Sequence, residues 1–237
     1  MCNSFDTARS GKQIVDHLIN MRPLVYDSLI SERLYETLPK LHDLTLEGSR
    51  LRRVKRHSQT TLSQVITTKG GQDLYLFSKS PLFGEDIYAD WIDDELKTTL
   101  YVATWRSGTG SKLNSTCPRD KYHVNNIQDF TLSQGSNQIT WSFRQDHSKW
   151  AISEDEDVGV VCISDLNRMK SQFKRGGGAV CIKCPSCWSV FSKTILDLEP
   201  CPVGIKKSDG RSDAKPSSSD VSLYRMLSEI FLNDKRN

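Results

Sequence analysis

The sequence predicts an α+β fold: N-terminal helices, a central and mostly antiparallel β-sheet, a small cysteine-rich metal lobe, then a flexible linker and a C-terminal helix. Three observations carry this expectation. Apolar residues recur at helical spacing early in the chain. Short runs rich in Thr, Val, Ile, Tyr, Phe and Trp, separated by turn residues, fill the middle. Four of the seven cysteines crowd into residues 181–201.

In chain order, Ile14, Val15, Leu18 and Ile19 mark a first helix, which Pro23 ends. Val25, Leu29, Ile30, Leu34 and Leu38 mark a second, and Leu41 and Leu44 extend a third into a basic end, so residues 1–58 read as a helical region. Residues 59–175 read as the β-rich core, with strands expected in TTLSQVITT, DLYLFS, KTTLYVATW, NQITWSFRQ and VGVVCIS. Large aromatics there suit its interior. Gly176, Gly177 and Gly178 suggest a flexible break before the cysteine lobe of residues 176–203. Residues 204–220 hold one large aliphatic side chain, Ile205, too little apolar area to offset ordering, and read as a disordered linker. Residues 221–237 close with a short amphipathic helix that a protein partner could bind.

The 237 residues carry a net charge of only +3, well short of a dedicated nucleic-acid binder. No run approaches the roughly 20 apolar residues of a membrane span. The N-terminus MCNSFDTARSGKQ lacks the apolar stretch of a secretory leader, which points to a cytoplasmic or nuclear setting. In a reducing compartment, clustered cysteines read as metal ligands more readily than as disulfides.

The cluster reads CIKCPSCWSVFSKTILDLEPCP, a C-x2-C-x2-C-x13-C pattern. Tight turns would aim the sulfurs of Cys181, Cys184, Cys187 and Cys201 at one ion. Four thiolates at about 2.3 Å suit a closed, structural Zn²⁺ site. An iron–sulfur cluster is the second metal expectation, because C-x2-C-x2-C with a remote Cys-Pro resembles the bacterial ferredoxin pattern. Cys162 or His147 could replace one ligand.

Charge is concentrated locally. Arg50, Arg52, Arg53, Lys55 and Arg56 form a basic segment able to contact phosphates. Lys174, Arg175 and Lys183 add a second group beside the cysteines. Catalytic signatures are sparse: Cys187-Trp188 has no histidine downstream, and Gly108-Thr109-Gly110 lacks the rest of a phosphate loop. In composition alone the chain resembles small viral accessory proteins, which pair a zinc lobe with a basic stretch. The resulting expectation is a zinc-binding regulatory protein that binds nucleic acid, RNA over DNA, and reads more readily as a binding protein than as an enzyme. The alternative is a protein-binding adaptor using its N-terminal helices or terminal helix.

Overall fold

The computed structural model describes residues 5–6, 9–45, 59–116 and 122–200. The basic segment Arg50–Arg56, the fourth expected ligand Cys201, and the proposed linker and terminal helix lie outside the described residues.

The first helix, α1 (Arg9–Met21), buries Val15 against the neighbouring helices and His17 against Ser78 of the sheet. It is followed by α2 (Glu32–Thr37) and α3 (Leu41–Thr45). Val15, Leu38, Leu41 and Leu44 form a small core of their own, with Leu18, Ile19 and Leu34 packed against it. The expected apolar periodicity is therefore what holds these helices together. Its second stripe is only partly used, because Leu29 lies exposed in a connection without helix.

The sheet begins with β1 (Thr61–Thr67) and β2 (Asp73–Lys79). A π-helical turn (Tyr88–Ile92) then leads into α4 (Asp93–Leu96). The strands β3 (Leu100–Ala103), β4 (Val124–Gln134), β5 (Asn137–Ser142), β6 (Trp150–Ser153) and β7 (Val160–Ser164) follow. The last described elements are β8 (Gly177–Lys183), α5 (Pro185–Ser192) and β9 (Ile195–Leu198). The strand order is β1-β2-β8-β7-β6-β3-β4-β5, with β9 added to β4. All described pairings are antiparallel except β3 with β4.

Because side chains alternate across a strand, the sheet has two apolar faces. One packs Leu100, Val102, Val124 and Ala151 under Tyr88 and Ile92. The other packs Ile127, Phe130, Trp150, Ile152 and Val161 under Trp188 of α5. The expected strands are present. The expected metal lobe is not.

Residues 177–183 are not a loosened approach to a lobe but an interior strand of the sheet. The glycines serve close packing: a Cβ on Gly178 would collide with the Phe77 carbonyl, and one on Gly176 with that of Met21. Cys162 and Cys181 face each other across β7 and β8 and form a disulfide. Cys184 and Cys187 form a second one within the turn that opens α5. With those thiols oxidised in pairs, no thiolate of Cys181, Cys184 or Cys187 is left for an ion. Among the described residues, no group of three or more His, Cys, Asp or Glu side chains is placed to hold a metal. Neither Zn²⁺ nor an iron–sulfur cluster is supported, and the fold class is a sheet-rich α+β fold without a metal lobe.

Candidate active site

The candidate site is built at the turn joining β5 to β6, residues 143–149. Phe143 anchors the turn, its backbone N–H donating to the Gln128 carbonyl at 2.9 Å. Asp146 fixes the turn from the middle. Its carboxylate accepts from Trp141 Nε1 at 3.0 Å and from the Ser148 backbone N–H at 2.7 Å. Partial burial works against the charged form, but these hydrogen bonds, with His147 adding to them, hold the Asp146 carboxyl below its ordinary range.

His147 is exposed and lies flat against Trp105, with ring centroids 4.4 Å apart and planes 26° from parallel. Trp105 is itself tied to this turn, because its Nε1 donates to the Arg144 carbonyl at 3.2 Å. A Cβ on Gly108 would lie 3.0 Å from the Trp105 ring, so the residue behind the indole has to be small. Lys149 reaches back to the His147 carbonyl at 2.7 Å. Around Phe143 stand three cations: Arg106 at 4.5 Å, Arg144 at 5.8 Å and Lys112 at 5.9 Å from the ring centre. An imidazole held by a stacked indole, in a turn that also carries Arg144 and Lys149, is suited to an anionic group that reacts by proton transfer or nucleophilic attack.

Behind this surface runs a buried polar network. Arg168 donates through Nε to Asp86 at 2.8 Å and through Nη1 to Asn126 Oδ1 at 2.6 Å. Asn126 Nδ2 donates to Glu199 at 2.6 Å, and Arg106 Nη1 pairs with the same carboxylate at 3.0 Å. Burial opposes ionisation of Glu199, yet hydrogen bonds from Asn126 and Arg106 bring its carboxyl below the ordinary range. The network thus locks β4 and the β3 exit to the segment before β8. Arg106 Nη2 and Asn167 Oδ1 are buried without a hydrogen-bond partner among the described residues. Such atoms are costly unless a ligand or water meets them.

The sequence-expected sites fare differently. Lys174 and Arg175 precede β8 and Lys183 ends it. At about 3.3 Å per strand residue, Arg175 and Lys183 stand roughly 25 Å apart. They do not form one basic patch. His147 was expected at most as a spare metal ligand, and Trp105 and Trp150 as core aromatics. The legible signal was local: a histidine and a lysine two positions apart in Asp146-His147-Ser148-Lys149-Trp150, in a turn leading into a buried strand. The contributions of Trp105 and Arg106, which arrive from the other side of β6, required the fold.

The family pattern described as deoxyribonuclease II matches residues 1–201. The chain belongs to the deoxyribonuclease II family. Plancitoxin-1 of Acanthaster planci is 34% identical over 76% of this chain and 47% of its own length. Deoxyribonuclease-2-alpha of Mus musculus is 33% identical over 82% of this chain and 51% of its own. Cell-death-related nuclease 7 of Caenorhabditis elegans is 31% identical over 80% and 49%. The chain therefore spans about half the length of these relatives. Membership of the deoxyribonuclease II family overturns the expectation of a viral-type, zinc-dependent RNA-binding regulator. Its adaptor alternative, which kept a structural zinc lobe, falls with the disulfides.

Proposed function

We propose that this chain contributes to the hydrolysis of phosphodiester bonds in DNA, and that the turn at residues 143–149 is where the phosphate reacts. The observation that carries the reading is His147, exposed and stacked on Trp105, in a turn that also carries Arg144 and Lys149. The family's nuclease relatives support it. Imidazole is the side chain that gains and loses a proton near neutrality, and it also serves as a nucleophile. In this reading the cations hold the phosphate and stabilise the charge that grows on its oxygens in the transition state. Trp105 limits rotation of the imidazole, so its ring edge stays directed outward. The nucleic-acid partner is DNA.

The paired cysteines also bear on location. Two disulfides favour an oxidising compartment over the cytoplasmic or nuclear setting expected from the sequence.

The test is cleavage of linear DNA by His147→Ala, with circular dichroism to check folding. Because His147 is exposed, the variant should fold as the parent does. Its cleavage rate should fall by at least about 100-fold, the low end for loss of an acid–base group. A variant that cuts at the parental rate would remove His147 from the chemistry.

A further inference from the structure

The Cys184–Cys187 pair has no part in the phosphodiester chemistry, and its setting differs from that of the other disulfide. Cys162–Cys181 joins adjacent central strands, with both residues fully buried under the sheet's apolar face. Cys184–Cys187 instead encloses Pro185 and Ser186, both exposed, at the end of β8 where α5 begins. A disulfide that closes so short a loop constrains the unfolded chain little, so stability gives it only a small role.

Its chemistry is that of a thiol pair poised to open and close. Cys184 caps α5: its Sγ accepts the Cys187 backbone N–H at 3.2 Å, and Ser186 Oγ lies 3.5 Å away. A sulfur that accepts hydrogen bonds at the start of a helix is stabilised as the thiolate once the bond is reduced. The Cys184 backbone is held independently of the bond, by its N–H on the Gly159 carbonyl at 2.9 Å and by the Trp188 N–H on its own carbonyl at 2.8 Å. Trp188 is further fixed by Nε1 donating to the Ser153 carbonyl at 2.8 Å. Reduction therefore leaves both cysteines in place. Ser153 ends β6 and His147 precedes its start, so the pair lies toward the other end of that strand from the phosphate site.

We propose that Cys184 and Cys187 form a thiol–disulfide exchange site, acting on accessible disulfides of peptides or small thiols and independent of the phosphodiester site. In the reduced protein the Cys184 thiolate attacks one sulfur of the partner's disulfide. That bond breaks, the departing partner sulfur leaves as a thiolate that takes a proton, and a mixed disulfide with Cys184 remains. Cys187 then loses its proton and attacks Cys184 Sγ, releasing the second partner thiol and restoring the 184–187 bond. Two electrons and two protons pass from the protein dithiol to the partner's disulfide. An external dithiol reverses the sequence and recharges the site.

The experiment uses the full chain at pH 7, equilibrated with graded ratios of reduced to oxidised dithiothreitol, then alkylated and mapped by peptide mass. Cys184 and Cys187 should take label at dithiol ratios that leave Cys162 and Cys181 unlabelled and the circular dichroism unchanged. In a second arm, reduced Cys187→Ser treated with oxidised glutathione should accumulate the glutathione adduct on Cys184, while the reduced parent closes its bond without a lasting adduct. The proposal is overturned if Cys184 and Cys187 open only together with Cys162 and Cys181 as the sheet unfolds. A lasting adduct on the parent would also overturn it. Should Cys187→Ser fail to fold, the labelling order in the parent alone decides.

Discussion

At the scale of single residues, the site depends on atoms that hold His147 rather than on His147 alone. Gly108→Ala should place a methyl group against the Trp105 ring and displace the stacked imidazole, lowering DNA cleavage while melting temperature changes little. A parental rate in that variant would show that the stack has no catalytic weight. Asp146→Asn makes a complementary test. The amide can still accept one hydrogen bond, but it loses the charge that favours both donors, Trp141 Nε1 and the Ser148 N–H. The expected cost is about 1–2 kcal/mol of stability, together with reduced cleavage. Urea unfolding measures the first and a nicking assay the second. Arg168 belongs deeper in the molecule, at 1% exposure. Arg168→Met would leave Asp86 and Asn126 Oδ1 without their buried partner, and a loss of about 3–5 kcal/mol is expected from urea unfolding. A loss under 1 kcal/mol would mean that water replaces the guanidinium there.

At the scale of elements, α1 is fastened to β2 by a titratable contact. His17 Nδ1 shares a hydrogen bond with Ser78 Oγ at 2.8 Å, and Asn20 Nδ2 donates to the Ser78 carbonyl at 2.8 Å. Burial lowers the His17 pKa from 6.5 to about 4, outweighing the opposing pull of Asp16. The folded protein thus prefers the neutral ring. Its contribution is intact above pH 6.5 and is lost progressively as pH falls towards about 4. Asp93, in α4, works in the opposite direction. Burial raises its carboxyl from 3.8 to about 7, so its contribution is complete below pH 3.8 and declines as pH rises to about 7. Melting temperatures across pH 4–7 for the parent, His17→Gln and Asp93→Asn should separate the two. The first substitution should flatten the acid-side loss, the second the loss on approaching neutrality. Unchanged slopes in both would show that folding does not shift the pKa of either group. The elements themselves were unevenly legible. β1, β2, β3, β5 and β7 announce themselves through β-branched and aromatic runs. β8 was hidden because Gly176, Gly177 and Gly178 read as slack, when they are there to let backbones approach Met21 and Phe77. The cysteine spacing was visible, but spacing does not distinguish a shared ion from two separate bonds. Only the register of Cys162 opposite Cys181 does so.

At the scale of the whole molecule, the cysteine pairing predicts that chelation leaves the described fold intact. Overnight EDTA should not change the melting temperature, whereas strong reductant under denaturing conditions should impair refolding. Stoichiometric zinc released by EDTA with loss of structure would contradict the pairing. The strand order has a consequence for how the chain is made. β2 has β1 on one side, but its other edge stays open until β8 arrives, since Leu74 pairs with Ile182 and Ser78 with Gly178. About a hundred residues separate these partners, and a ribosome adding about 5–20 residues per second takes roughly 5–20 s to deliver them. For that interval the nascent chain presents an unpaired strand edge bearing Leu76 and Phe77, the kind of surface that chaperones cover and neighbouring nascent chains can capture. Yield during synthesis should therefore depend on protection of that edge more than on the stability of the finished sheet.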